Sequence, residues 1–134
     1  MGQSAMLSLS STRTVLIGAT NPDLGMLISR IIKRRFQSSN CMLSSSGAGL
    51  LEAMNLADID LVITDEWLPD MSAYTLSQNL KRRNPHLPVL LLTALPSSHL
   101  EAAMQQEQVD AFLTKPFHID ELTSAAANMF ALAV

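Results

Sequence analysis

A chain of 134 residues, 48% hydrophobic and 16% charged, has enough apolar side chains for one domain core and too many for a disordered chain. Its lone cysteine, Cys41, excludes an internal disulfide and a cysteine-built zinc site, and a net charge of −3 argues against nucleic-acid binding through bulk charge. No apolar run approaches the ~18 residues of a membrane-spanning helix, and no basic start followed by an apolar block marks a signal peptide, so the expected compartment is the cytoplasm.

Residues 1–12 are serine-rich and without period, and are expected to form a disordered tail ahead of one domain over 13–134. Val15–Gly18 is a continuous apolar run, the pattern of a strand buried on both faces. Asn21-Pro22-Asp23 reads as a helix start, with Asn as N-cap, Pro at the first helical position and Asp in the first turn. Leu24, Leu27, Ile28, Ile31 and Ile32 follow on one helical face. Cys41–Leu43 predicts a short second strand, Ser44–Gly49 a loop, and the stretch around Leu50–Ala57 a second helix. Asp60–Thr64 predicts the third strand. Ser72–Arg83 predicts the third helix, with Leu76 and Leu80 inward. Pro88–Thr93 is the fourth strand, and a helix around Ser98–Gln106 aligns Leu100, Ala103 and Met104. Ala111–Thr114 is the fifth strand. The last helix runs from about Ile119 to Leu132, with Ile119, Leu122, Ala126, Met129 and Phe130 as its stripe.

Strict alternation of strands and helices predicts an α/β fold, a (βα)5 doubly wound five-stranded parallel sheet of flavodoxin-like order. Ligands in such folds bind outside the carboxyl ends of the strands. Three of those ends carry reactive groups: Asp65 closes the third strand, Thr93 the fourth and Lys115 the fifth. Lys115 precedes Pro116, which makes that bond a candidate cis peptide. A carboxylate, a hydroxyl and an ammonium on one rim suit phosphoryl chemistry, with the carboxylate as nucleophile and the other two holding phosphoryl oxygens.

The stretches Val15–Leu24, Asp60–Met71, Leu87–Ala94 and Asp110–Phe117 together resemble the receiver domain of two-component response regulators, in that family's order and across nearly the whole chain. The resemblance implies a receiver-type fold and a signalling module rather than an enzyme. It matches Asp65 to the aspartate that a histidine kinase or phosphotransfer protein phosphorylates, Thr93 to the switch hydroxyl, Lys115 to the lysine that pairs with the phosphoryl group, and Phe112 to the switching aromatic. It implies Mg²⁺ as the ion, held by Asp65 and the Trp67 backbone carbonyl. One element departs from the family: the adjacent acidic pair at the end of the first strand is replaced by Ala19 and Thr20. Magnesium is usually held by carboxylates, so weak metal binding and weakened or abolished phosphorylation of Asp65 are expected. The alternative is a pseudo-receiver, a protein-interaction module that works without phosphate, with Asp65 and Lys115 as a standing ion pair. The usual glycine after the Pro-Asp-Met loop is also absent, with Ser72-Ala73 in its place.

The resemblance further implies a homodimer surface on the fourth helix, fifth strand and fifth helix, here including Leu95, Leu100, Met104, Phe112 and Ala125–Ala127. No nucleic-acid or membrane partner is expected for this chain. Ser44–Gly49 lacks both the Gly-Lys-Ser/Thr of a phosphate-binding loop and a dinucleotide fingerprint, and is read as a plain loop. Seven of nine basic residues fall at the ends of the first and third helices, where they complement the helix dipole. Trp67 is expected to bury its ring area.

Overall fold

The computed structural model describes residues 12–132. The expected tail over residues 1–12 therefore falls, but for Thr12, outside the described residues. Continuous apolar runs form the strands, and periodic ones form the helices that cover both faces of the sheet. The chain alternates β1 (Arg13–Gly18), α1 (Pro22–Arg35), β2 (Ser39–Ser44), α2 (Gly47–Ala53), β3 (Leu61–Asp65), α3 (Ala73–Arg83), β4 (Val89–Thr93), α4 (Ser98–Gln105), β5 (Ala111–Thr114) and α5 (Ile119–Leu132). The five strands are all parallel, in the order β2-β1-β3-β4-β5.

Strand alternation divides the core between the faces. Val15, Ile17, Ile63, Leu90 and Leu92 meet Ile28 and Ile32 of α1 and Leu122, Ala126 and Phe130 of α5. Leu16, Val62 and Val89 meet Leu50 of α2 and Leu76 and Leu80 of α3. Leu91 packs with Tyr74, Leu100 and Ala103. Each Leu or Ile fully buried in this way stabilises the fold by about 1.5–3 kcal/mol relative to exposure.

The start of α1 is as the sequence reads: Asn21 caps it, accepting from the Asp23 N–H, with Pro22 at the first position. Beyond shifts of one or two residues at element ends, such as β1 from Arg13 and β3 over Leu61–Asp65, four details differ. β2 is longer at both ends, because its pairing with β1 runs from Arg13–Ser39 to Gly18–Ser44 through backbone groups that polar residues supply equally well. α2 begins inside the expected Ser/Gly loop and ends at Ala53: the Ser46 side chain accepts the Gly49 N–H, and the Asp70 carboxylate takes the Gly47 and Ala48 N–H groups. Leu27 and Ile119 are 51% and 58% exposed, at the edges of their helical stripes and not in the core. Trp67 is 61% exposed on the turn after β3, not packed inside.

Candidate functional site

Register brings the candidate residues to one rim. Thr64 lies beside Gly18, Asp65 beside Leu92, and Thr93 beside Thr114, so the ends of β1, β3, β4 and β5 stand side by side. They frame an open cavity of about 480 Å³ lined by Thr20, Asp65, Glu66, Trp67, Leu92, Ala94, Leu95, Ser97 and Lys115.

Asp65 is buried at the centre, and each of its oxygens has a neighbour from this chain. The Lys115 ammonium lies 2.5 Å from Oδ1. This is a charge contact outside hydrogen-bond geometry, and the buried Oδ1 has no hydrogen-bond donor. The Thr20 N–H donates to Oδ2 at 3.0 Å. The Thr20 hydroxyl donates to the Trp67 carbonyl at 3.2 Å. Lys115 precedes Pro116 across a cis peptide bond, the isomer for which the sequence made it a candidate. Ala19 is buried and points no polar group at the cavity. Among the described residues, no group of three His, Cys, Asp or Glu side chains gathers as a metal cluster. The donors nearest a cation at Asp65 are one carboxylate, one hydroxyl and one backbone carbonyl.

Thr93 reaches the same rim, but its hydroxyl is turned to a different partner. Oγ1 lies 2.8 Å from Glu66 Oε1 and 3.1 Å from the Leu95 carbonyl, two acceptors for one proton, and it accepts the Leu95 N–H at 3.2 Å. The other Glu66 oxygen, Oε2, accepts the Tyr74 hydroxyl at 2.7 Å. Burial together with the Glu66 carboxylate pushes the Tyr74 phenol well above its ordinary value, against a smaller opposing pull from Ser97. The Tyr74 ring stacks on His99 at 4.1 Å and meets the Trp67 ring edge-on at 6.2 Å.

Glu66 is the residue that the sequence reading missed. A strand's period of two turns it away from Asp65. The one signal for it was Tyr74, a phenol in the first turn of α3 that needs a partner when buried. Phe112 does not join the cavity. It sits on the edge strand opposite Leu91, 38% exposed. Of the other residues on the expected dimer face, Leu95 is 76% exposed, Leu100 and Ala126 belong to the core, and Met104 is half-buried. The two basic clusters also differ: Lys81 pairs with Asp110 at 2.8 Å and Arg83 donates to the Leu51 carbonyl and Asn55, so part of the α3 cluster ties elements together.

The chain matches the family model of the response regulator receiver domain over residues 15–127. It is 33% identical over 122 residues to the sensor histidine kinase TmoS of Ectopseudomonas mendocina, a match covering 90% of this chain and 12% of that protein. It is 34% identical over 109 residues to the transcriptional regulatory protein TcrX of Mycobacterium tuberculosis, covering 81% of this chain and 46% of that one. The chain thus spans less than half the length of either relative. The chemotaxis protein CheY4 of Vibrio cholerae shares the fold at a TM-score of 0.81 and 17% identity, over 89% of this chain and 99% of that one. No helix among the described residues is long and apolar enough to cross a membrane.

Proposed function

We propose that this chain, which belongs to the response regulator receiver domain family, serves two-component signalling as a receiver whose Asp65 is a poor phosphoacceptor. The domain takes in residues 13–134, works in the cytoplasm, and meets a histidine kinase or phosphotransfer protein at the rim that carries Asp65. Asp65 is the nucleophile, Lys115 and Thr93 are the groups that would face phosphoryl oxygens, and Phe112 is the responsive aromatic on the edge strand.

One observation carries the reading: the chain's own groups already occupy the surroundings of Asp65. Lys115 neutralises Oδ1 at 2.5 Å, the Thr20 N–H takes Oδ2, and the Thr20 hydroxyl takes the Trp67 carbonyl. These residues fit Mg²⁺ poorly. Each carboxylate missing at Ala19 and Thr20 forfeits up to about 8 kcal/mol of gross attraction to a divalent ion, taken at ~4 Å and an effective dielectric of ~20. Desolvation offsets much of that, yet a small surviving fraction is orders of magnitude in affinity. A second reading, a phosphate-independent interaction module, is favoured by the Thr93 hydroxyl, which Glu66 already engages.

Intact mass after incubation with acetyl phosphate and Mg²⁺ tests the proposal, with Asp65→Asn as control and a conventional receiver beside it. The expected gain of one phosphoryl group is below roughly a tenth of the conventional receiver's, as the lost metal affinity implies. A full gain that Asp65→Asn abolishes overturns the poor-acceptor reading. No gain at all selects the interaction module.

A further inference from the structure

Glu66 is an unusual buried carboxylate. Among the described residues, the ion pairs within 4.0 Å are Lys81–Asp110 and Lys115–Asp65, so Glu66 has no cation of its own. Burying a charge without a counter-charge is costly unless hydrogen bonds replace the lost water. Here two hydroxyls from different elements do so: Thr93 at the end of β4 donates to Oε1, and Tyr74 in the first turn of α3 donates to Oε2. Only a carboxylate offers two acceptor oxygens to two converging O–H donors. A glutamine would turn an N–H₂ toward one of them.

The backbone of Glu66 is fixed as well. Its N–H donates to the Leu92 carbonyl at 3.0 Å, and its own carbonyl accepts the Ala73 N–H at 2.8 Å. From Tyr74 the contact continues to α4, because the phenol ring lies flat on the His99 imidazole, 17° from parallel. His99 is the second residue of α4, whose Leu100 and Glu101 amides are bonded to Ser97. A continuous chain of contacts thus runs from the residue beside Asp65 to the start of α4.

We propose that Glu66 is a positioning residue: its carboxylate ties the end of β4 to α3 and, through Tyr74 and His99, holds the first turn of α4 in one arrangement without any phosphoryl group. The signalling meaning of this joint rests on the reading given above. The joint itself does not, because it needs neither metal nor phosphate. Thr93 is held by an acceptor built into the chain, so the surface around Leu95 and α4 is set by Glu66 and not by events at Asp65.

Amide hydrogen exchange at neutral pH tests it on the intact chain, with Glu66→Gln, Tyr74→Phe and the double variant. Both single changes keep the shape of the side chain, so the fold is retained. In each, exchange at Leu100 and Glu101 is expected to rise about fivefold or more, as the loss of one hydrogen bond implies, and the double variant should add nothing further. Amides in the middle of α1, such as Ile28, should not change. Trp67, the only tryptophan, should shift its fluorescence in the same variants. Unchanged exchange at Leu100 and Glu101 overturns the joint. So does an equal rise in α1, because Glu66 would then act on global stability alone. Acetyl phosphate labelling is a separate measurement, so failure of either leaves the other standing.

Discussion

The two ends of the sheet use aspartates differently. At the amino ends, Asp60 and Asp110 stand one residue before β3 and β5 and make the same reciprocal clasp. The Asp60 N–H donates to the Thr14 carbonyl while its carboxylate accepts the Thr14 N–H, each at 2.8 Å. Asp110 does the same with Val89 at 2.9 and 2.7 Å, and Lys81 adds its charge at 2.8 Å. At the carboxyl ends, Asp65 receives one backbone N–H on Oδ2 and, on Oδ1, the charge of the Lys115 ammonium, whose side chain is a third exposed. The amino-rim aspartates tie neighbouring strands directly through backbone groups, whereas Asp65 lines an open cavity and is held by one N–H and one charge.

Substitution at the amino rim should have the largest effect. Asp110→Ala strands the Val89 N–H and the Lys81 ammonium, both of them well covered, and is expected to cost about 2–4 kcal/mol. Urea unfolding measures it. Asp65→Asn should change stability by less than about 1 kcal/mol, because the Lys115 partner is a third exposed and screened, and an amide oxygen still accepts from Thr20. If Asp65→Asn costs as much as Asp110→Ala, the contrast between the rims fails and Asp65 is a structural acid.

Much of this was legible in the sequence, for physical reasons that also mark where legibility stops. β1, β3 and β4 announce themselves because both of their faces are covered, so their apolar runs are unbroken, while β5 at the sheet edge keeps a short apolar run, Ala111–Leu113, although Phe112 is exposed. The N-cap of α1 is legible because Asn21, Pro22 and Asp23 act within one turn. The start of α2 is not, since two of its N–H partners are on Asp70, more than twenty residues away. Asp65 and Lys115 were found as strand-end chemistry, and the structure joins them. Glu66 was not, because its hydroxyl partners lie 27 and 8 residues off in separate elements. Trp67 shows the limit of an area argument: on a turn whose ends, Trp67 and Ser72, pair with each other, a large ring stays outside whatever its hydrophobicity.

Asp70 sharpens the comparison with the smallest of these effects. It lies on the carboxyl rim, yet it is used as the amino-rim aspartates are. Its oxygens take the Gly47 N–H at 2.8 Å and the Ala48 N–H at 2.9 Å, and the Met71 side chain packs where a Cβ at Gly47 would stand. The Ala48 and then the Gly47 N–H groups hold the Asp70 carboxyl below its ordinary value of 3.8. A carboxyl whose value is lower in the folded state contributes stability that is fully present above the unfolded value and is lost as pH falls through the folded one. Asp70→Asn should therefore lower the melting temperature slightly at about pH 5, and the gap between variant and wild type should close as pH is lowered toward about 2. A gap that stays constant across that range would mean that the amide caps α2 by shape alone. A gap that closes would mean that donors, and not position on the sheet, decide whether an aspartate here is structural. Asp65 would then stand apart because its Oδ1 meets the partly exposed Lys115 ammonium and no backbone N–H.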